Sequence, residues 1–173
     1  MAKHNYSRLS APNMNWNDLE VYTMSKEVRR FTQEAGYQPL ADRCIIVKYA
    51  PKNLSEQIPA FFKAEFYALQ MCEHEIVLLP FNRAWHYLRK DVSLVLPYGD
   101  IQSVELEDVK FNTVITIRTR SDTIRLTAQQ AALSGLRCSG RYAVLYAGSL
   151  RNWHKENLDG TLKALTELGN NGN

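Results

Sequence analysis

The hydrophobic period of the chain changes more than once. Over residues 17–35 the apolar positions Val21, Met24, Val28, Phe31 and Ala35 recur at spacings of three and four, which is the stripe of one helical face. Asn17 with Glu20 makes a capping pair at its start, and Gly36 followed by Pro39 stops it. Lys26, Glu27, Arg30 and Glu34 fall away from the stripe. From residue 43 the pattern becomes runs of β-branched and aromatic residues divided by turn residues. That predicts strands over residues 43–49, 61–69, 75–81, 92–97, 101–107, 113–120 and 123–127. The last three alternate most cleanly: Val104, Leu106, Ile115, Ile117, Ile124 and Leu126 share one side, and Ser103, Glu105, Glu107, Thr116, Arg118 and Arg125 the other. A two-residue connection at Ser121 and Asp122 makes this a meander with one apolar and one wet face, so its neighbours are antiparallel.

Residues 128–133 suit a short helix capped by Thr127 and stopped near Gly135, and residues 142–146 one further strand. Residues 150–168, with Leu158, Leu162, Leu165 and Leu168, form an amphipathic helix despite Gly160, which costs roughly 1 kcal/mol relative to alanine. Residues 1–16 show no period and read as an arm; residues 169–173 read as a fraying tail. At 173 residues the chain has the length of one domain with a sizeable core, here residues 17–168 with the first helix as an extension.

Composition narrows the classes further. Hydrophobic residues at 45% and charged residues at 23% are globular values and argue against a disordered or fibrous chain. The longest stretch without Asp, Glu, Lys or Arg is residues 126–136, far short of the roughly 20 apolar residues of a membrane helix, so no transmembrane segment is expected. Lys3 and Arg8 lead into Pro12, Asn13 and Asn15, not into the apolar core of a secretory signal, and the expected location is cytoplasmic. There the sequons at Asn5 and Asn53 would go unused. Twenty-one Lys plus Arg against eighteen Asp plus Glu give a net charge of +3, too small for the basic field of a nucleic-acid binder. Cys44, Cys72 and Cys138 are odd in number and widely spaced, which suggests reduced thiols and neither a disulfide framework nor a zinc site.

Short antiparallel strands followed by an amphipathic helix resemble the pleckstrin-homology-like (PH-like) superfold. More specifically, the strand near residues 61–69, the run Glu75-Ile-Val-Leu-Leu-Pro-Phe81 and the segment Leu96-Pro-Tyr-Gly-Asp-Ile-Gln-Ser-Val-Glu-Leu106 are similar to small bacterial PH-like domains related to the GRAM group. The resemblance covers about residues 60–127. It implies an α+β fold, a PH-like twisted antiparallel sheet or partly open barrel with a C-terminal helix and an added N-terminal helix. It also implies a non-catalytic scaffold that binds proteins, peptides or lipids. Phosphoinositide-binding members carry basic residues around their first hairpin; the matching turn here, Gln70-Met-Cys-Glu-His-Glu75, carries glutamates that repel phosphate.

Three groups of residues carry candidate chemistry. Cys72, His74 and Glu75 are the densest set of metal-ligand types but lack further ligands nearby, so a hairpin turn is the favoured reading and no metal or cofactor is expected. Arg83, Trp85, His86 and Arg89, with Tyr87 and Lys90, form a basic and aromatic loop suited to the rim of a protein interface or to an anionic ligand. Arg118 and Arg125 are expected to face each other across the last hairpin, with Glu105 or Glu107 offsetting their repulsion. His154, beside Trp153, is read as a packing residue. The expected function is binding a protein partner or the chain itself, the alternative being a peripheral binder of an anionic lipid or small anionic ligand; no enzymatic role is expected.

Overall fold

The computed structural model describes residues 26–50, 66–82, 84–85, 87–135, 138–146 and 151–170. Of the helix expected over residues 17–35, helix α1 (Lys26–Glu34) is described; Val21, Met24 and the Asn17 cap lie outside the described residues, as does the N-terminal arm. Gly36 ends α1 as anticipated. At φ +95° it takes the left-handed conformation that glycine adopts freely, its N–H reaches the Gln33 carbonyl at 2.9 Å, and Tyr37 N–H reaches the Thr32 carbonyl at 3.1 Å.

Strands β1 (Pro39–Tyr49), β2 (Tyr67–Cys72), β3 (Glu75–Pro80), β4 (Leu94–Pro97), β5 (Ile101–Val109), β6 (Asn112–Thr119) and β7 (Thr123–Gln129) form one seven-stranded antiparallel sheet. Its order, β4-β3-β2-β1-β7-β6-β5, places β1 between two meanders. With the C-terminal helix α3 (Trp153–Asn170) this is the expected α+β architecture, an open antiparallel sheet consistent with a PH-like twisted sheet.

The two meanders differ in burial because only one is covered on both sides. Ile45, Val47, Leu69, Met71, Ile76, Leu78, Ile115, Ile117 and Leu126 pack on one face against Leu158 and Leu165 of α3. On the opposite face Cys44, Ile46, Ala68, Cys72, Val77 and Leu79 pack with Val28 and Phe31 of α1, Tyr142, Ala143 and Trp153. β2 is therefore buried at every position and β3 at all but its first, whereas β5 to β7 keep a wet face.

Several boundaries differ from the sequence reading, each for a packing reason. β1 begins at Pro39 instead of residue 43. Its register breaks between Pro39 and Cys44, where Asp42 lies at φ 56°, and the buried Gln70 amide donates to the Leu40 carbonyl at 2.9 Å and to the Arg43 carbonyl at 3.3 Å. β2 runs on through Cys72, so the turn is Glu73 and His74 alone; residues 61–65 lie outside the described residues. Ala128 and Gln129 finish β7, and only a 3-10 turn, Ala131–Leu133, replaces the expected short helix. The expected strand over residues 142–146 is a π-helical turn that continues helix α2 (Cys138–Arg141). Its aromatic residues signal burial, and Tyr142 packs on Phe66 and Phe81 in place of joining a ladder.

The tail also begins later than expected, since Gly169 and Asn170 belong to α3. Gly169 is required there: a Cβ would lie 2.5 Å from the Val104 nitrogen, so only glycine lets the last helical turn rest on β5.

Candidate functional site

The β3–β4 connection presents Trp85 and Tyr87 outward. Asn82 shapes it, its Oδ1 accepting from Ala84 N at 2.8 Å and Trp85 N at 3.0 Å, while Asn82 N donates to the Tyr87 carbonyl at 2.8 Å. Trp85 is 75% exposed and Tyr87 51% exposed. The described cations beside them, Arg89 and Lys90, are already engaged. Arg89 pairs with Asp91, and Lys90 pairs with Glu34 at 3.1 Å while lying over the Phe31 ring at 5.3 Å to its centroid. Lys90 thus ties the loop to α1, and an anion arriving here would compete with carboxylates already in place. Arg83 and His86 lie outside the described residues.

The arginines of the second meander are not opposite each other. Thr119 N donates to the Asp122 carbonyl at 2.8 Å, so the two-residue loop is Arg120 and Ser121, not Ser121 and Asp122. Arg118 then faces Thr123, and Arg125 faces Thr116, which corrects the expected like-charge pair. The two arginines still share a face because the pairing differs from the expected one by two residues, an even shift that keeps every side chain on its side. Glu105 offsets Arg118 as expected, accepting from Nε at 3.3 Å and Nη2 at 3.2 Å. Arg125 has no ion-pair partner among the described residues. Trp85 and Arg89 belong to the first meander and the arginines to the second, with β2 and β1 between, so these described residues do not share one strand pair.

His154 is the residue that sequence reading undervalued. The β1–β7 ladder pairs Tyr49 with Leu126, Lys48 with Thr127 and Val47 with Ala128, and the next rung would join Ile46 to Gln129. The fully buried imidazole stands in that rung. Nδ1 accepts from Ile46 N–H at 2.9 Å, which leaves the proton on Nε2 to donate to the Gln129 carbonyl at 2.7 Å. Three residues along α3, Asn157 Nδ2 donates to the Cys44 carbonyl at 3.2 Å, so one helix face takes over the strand edge that β7 leaves. Burial holds the His154 pKa down at about 4, only partly opposed by its bond to the Gln129 carbonyl. With both ring nitrogens bound to main chain, the ring splices the sheet and keeps no free nitrogen for proton transfer.

The thiols are sheltered too. Cys44 and Cys72 are buried in the core beneath α1; burial, then the neighbouring Cys72, raises the Cys44 pKa, and burial, then Glu75, pushes Cys72 up to about 12. His74 is exposed in the turn while Cys72 is buried, so the two do not converge on a metal. Among the described residues no helix is long and apolar enough to cross a membrane. No protein-family model matches the chain, and no curated protein is similar to it.

Proposed function

We propose that this chain is a non-catalytic interaction module of the PH-like, GRAM-related kind that works in the bacterial cytoplasm and binds a protein partner, a second copy of itself included. The observation that carries this reading is the loop at Trp85 and Tyr87. Two large aromatic side chains stand out on a turn that Asn82 braces, beside Arg89 and Lys90, whose charge is met from within the molecule. Exposed aromatics of this kind serve as anchors in protein interfaces. The alternative, a peripheral binder of an anionic lipid or small anion, is favoured by Arg125, which has no carboxylate partner among the described residues.

The two readings separate experimentally. The wild-type chain should self-associate in light scattering or retain a specific protein from lysate of its source cell, and Trp85→Ala should weaken that association without lowering thermal stability. Sedimentation with anionic and neutral vesicles should show no difference between them. A monomer that retains nothing, or a retained protein indifferent to Trp85→Ala, would defeat the reading. Selective sedimentation with anionic vesicles that Arg125→Glu abolishes would establish the alternative.

A further inference from the structure

The sheet opens where His154 replaces a rung. β1 and β7 pair directly as far as Val47 with Ala128, and the next rung, Ile46 with Gln129, is carried through the imidazole. A recess of about 150 Å³ lies at this parting. Lys48 stands opposite Thr127 in the β1–β7 ladder, and Gln129 opposite Asn112 in the β6–β7 ladder. These four alternate with the buried Val47, Leu126, Ala128 and Thr113, so the period of two sets their side chains together on the face away from Leu158 and Leu165 of α3. Phe66 forms an apolar wall, its ring held against Tyr142 at 4.4 Å between centroids, and Ser139 of α2 closes another side.

The polar groups of this lining are donors in excess. Lys48 is half-buried and has no ion-pair partner among the described residues. Gln129 Oε1 accepts from Ser139 N–H at 3.4 Å and from the Ser139 hydroxyl, which leaves the Gln129 amide N–H groups open; neither they nor the Asn112 side chain meets an acceptor among the described residues. Thr127 Oγ1 reaches the Lys48 carbonyl only at 3.5 Å, a long bond that it can exchange for a better acceptor. No carboxylate lines the recess among the described residues. Arg125, two residues before Thr127 on the same face, adds to the positive field, while Glu107 lies two strands beyond Thr127, about 10 Å away.

We propose that this recess binds a phosphoryl group, with Lys48 as its counter-ion and the Asn112 and Gln129 amides and the Thr127 hydroxyl as its hydrogen-bond donors. Donors spread over three strands and around the recess suit a tetrahedral oxyanion better than a planar carboxylate, and the bonds are strengthened by the charge of the anion. The Phe66 wall packs against whatever carries the phosphoryl group. The site goes beyond the protein-binding reading and does not depend on the Trp85 loop.

The test is NMR titration of the full chain with phenyl phosphate, inorganic phosphate and, at equal ionic strength, sodium chloride, read at the side-chain amide signals of Asn112 and Gln129. Both phosphates should shift these signals, phenyl phosphate at the lower concentration, and chloride should not. Lys48→Met should weaken the phosphates about tenfold and Asn112→Ala about threefold, each with unchanged melting, whereas Lys163→Met, which removes the same charge from the far side of α3, should leave binding as it is. Signals that do not move, that move equally in chloride, or that respond equally in wild type and Lys48→Met would overturn the proposal. Sedimentation with vesicles of phosphatidylcholine, with and without phosphatidic acid, separates the two sources of the group. No added retention beside binding of free phenyl phosphate supports a soluble phosphorylated ligand. Retention on phosphatidic acid that Lys48→Met abolishes supports the same site as a lipid headgroup site and moves the function to the alternative reading. Loss of the Trp85-dependent partner with phosphate binding intact would defeat the protein-binding reading and leave this site standing.

Discussion

Acid should loosen the β1–β7 seam through one residue. His154 bridges Ile46 N–H to the Gln129 carbonyl as a neutral ring, and a second proton on Nδ1 would point straight at the Ile46 donor. The pKa falls from 6.5 to about 4 on folding, so as pH drops through 6.5 the unfolded chain takes up the proton first and the folded state loses ground. The loss is complete near pH 4 and amounts to about 3 kcal/mol, at about 1.4 kcal/mol per pH unit. Denaturant unfolding of wild type and His154→Gln at pH 7.5 and at steps down to pH 4 isolates this effect, because carboxylate titrations common to both proteins cancel. Wild type should be the more stable at neutral pH, by about 2 to 4 kcal/mol for two rungs made by a shorter side chain and the space left around it. That advantage should shrink by about 3 kcal/mol by pH 4. A stability gap that stays constant from pH 7.5 to 4 would refute the splice. So would an imidazole NMR signal from His154 titrating near 6.5.

Val28 is wholly buried between α1 and the sheet, so Val28→Asp should cost more than about 3 kcal/mol by denaturant unfolding while leaving the solution mass unchanged, since Val28 and Phe31 dock within the chain. Glu105→Gln should lower stability by under about 1 kcal/mol, because its pair with Arg118 is exposed, and the difference should vanish in high salt. Gly169→Ala should lower the melting temperature, by about 1 to 3 kcal/mol in stability, since the added Cβ meets the Val104 nitrogen; an unchanged melt would show that α3 does not rest on β5 there. In a Cys138→Ser background the native protein should not react with a thiol reagent at pH 8, whereas the unfolded chain should expose both Cys44 and Cys72.

Local pattern alone determined the elements whose surroundings are uniform along their length. The period of two in β5 to β7 places Val104, Ile115, Ile117 and Leu126 on one face, because one side of that meander is wet throughout, and the leucine spacing of α3 predicts its docked stripe. The ion pair of Arg118 with Glu105 was legible for the same reason: residues on one face of adjacent strands are neighbours whatever the loop. Tertiary structure decided the rest. A register shift of two residues keeps every side chain on its face, so periodicity could not fix the last hairpin's register, and the Thr119 to Asp122 bond did. Tyr142 and Tyr146 signal burial in strand and helical turn alike, and only the packing of Tyr142 on Phe66 and Phe81 chose the turn. His154 carries no local sign of its role, because Ile46 lies 108 residues away and Gln129 lies 25 away. The space between α3 and the sheet at Leu106 and Asp108 exists because α3 closes on β5 at Gly169 and leaves Leu106 partly exposed, a matter of where a helix crosses a strand, which no short-range pattern encodes.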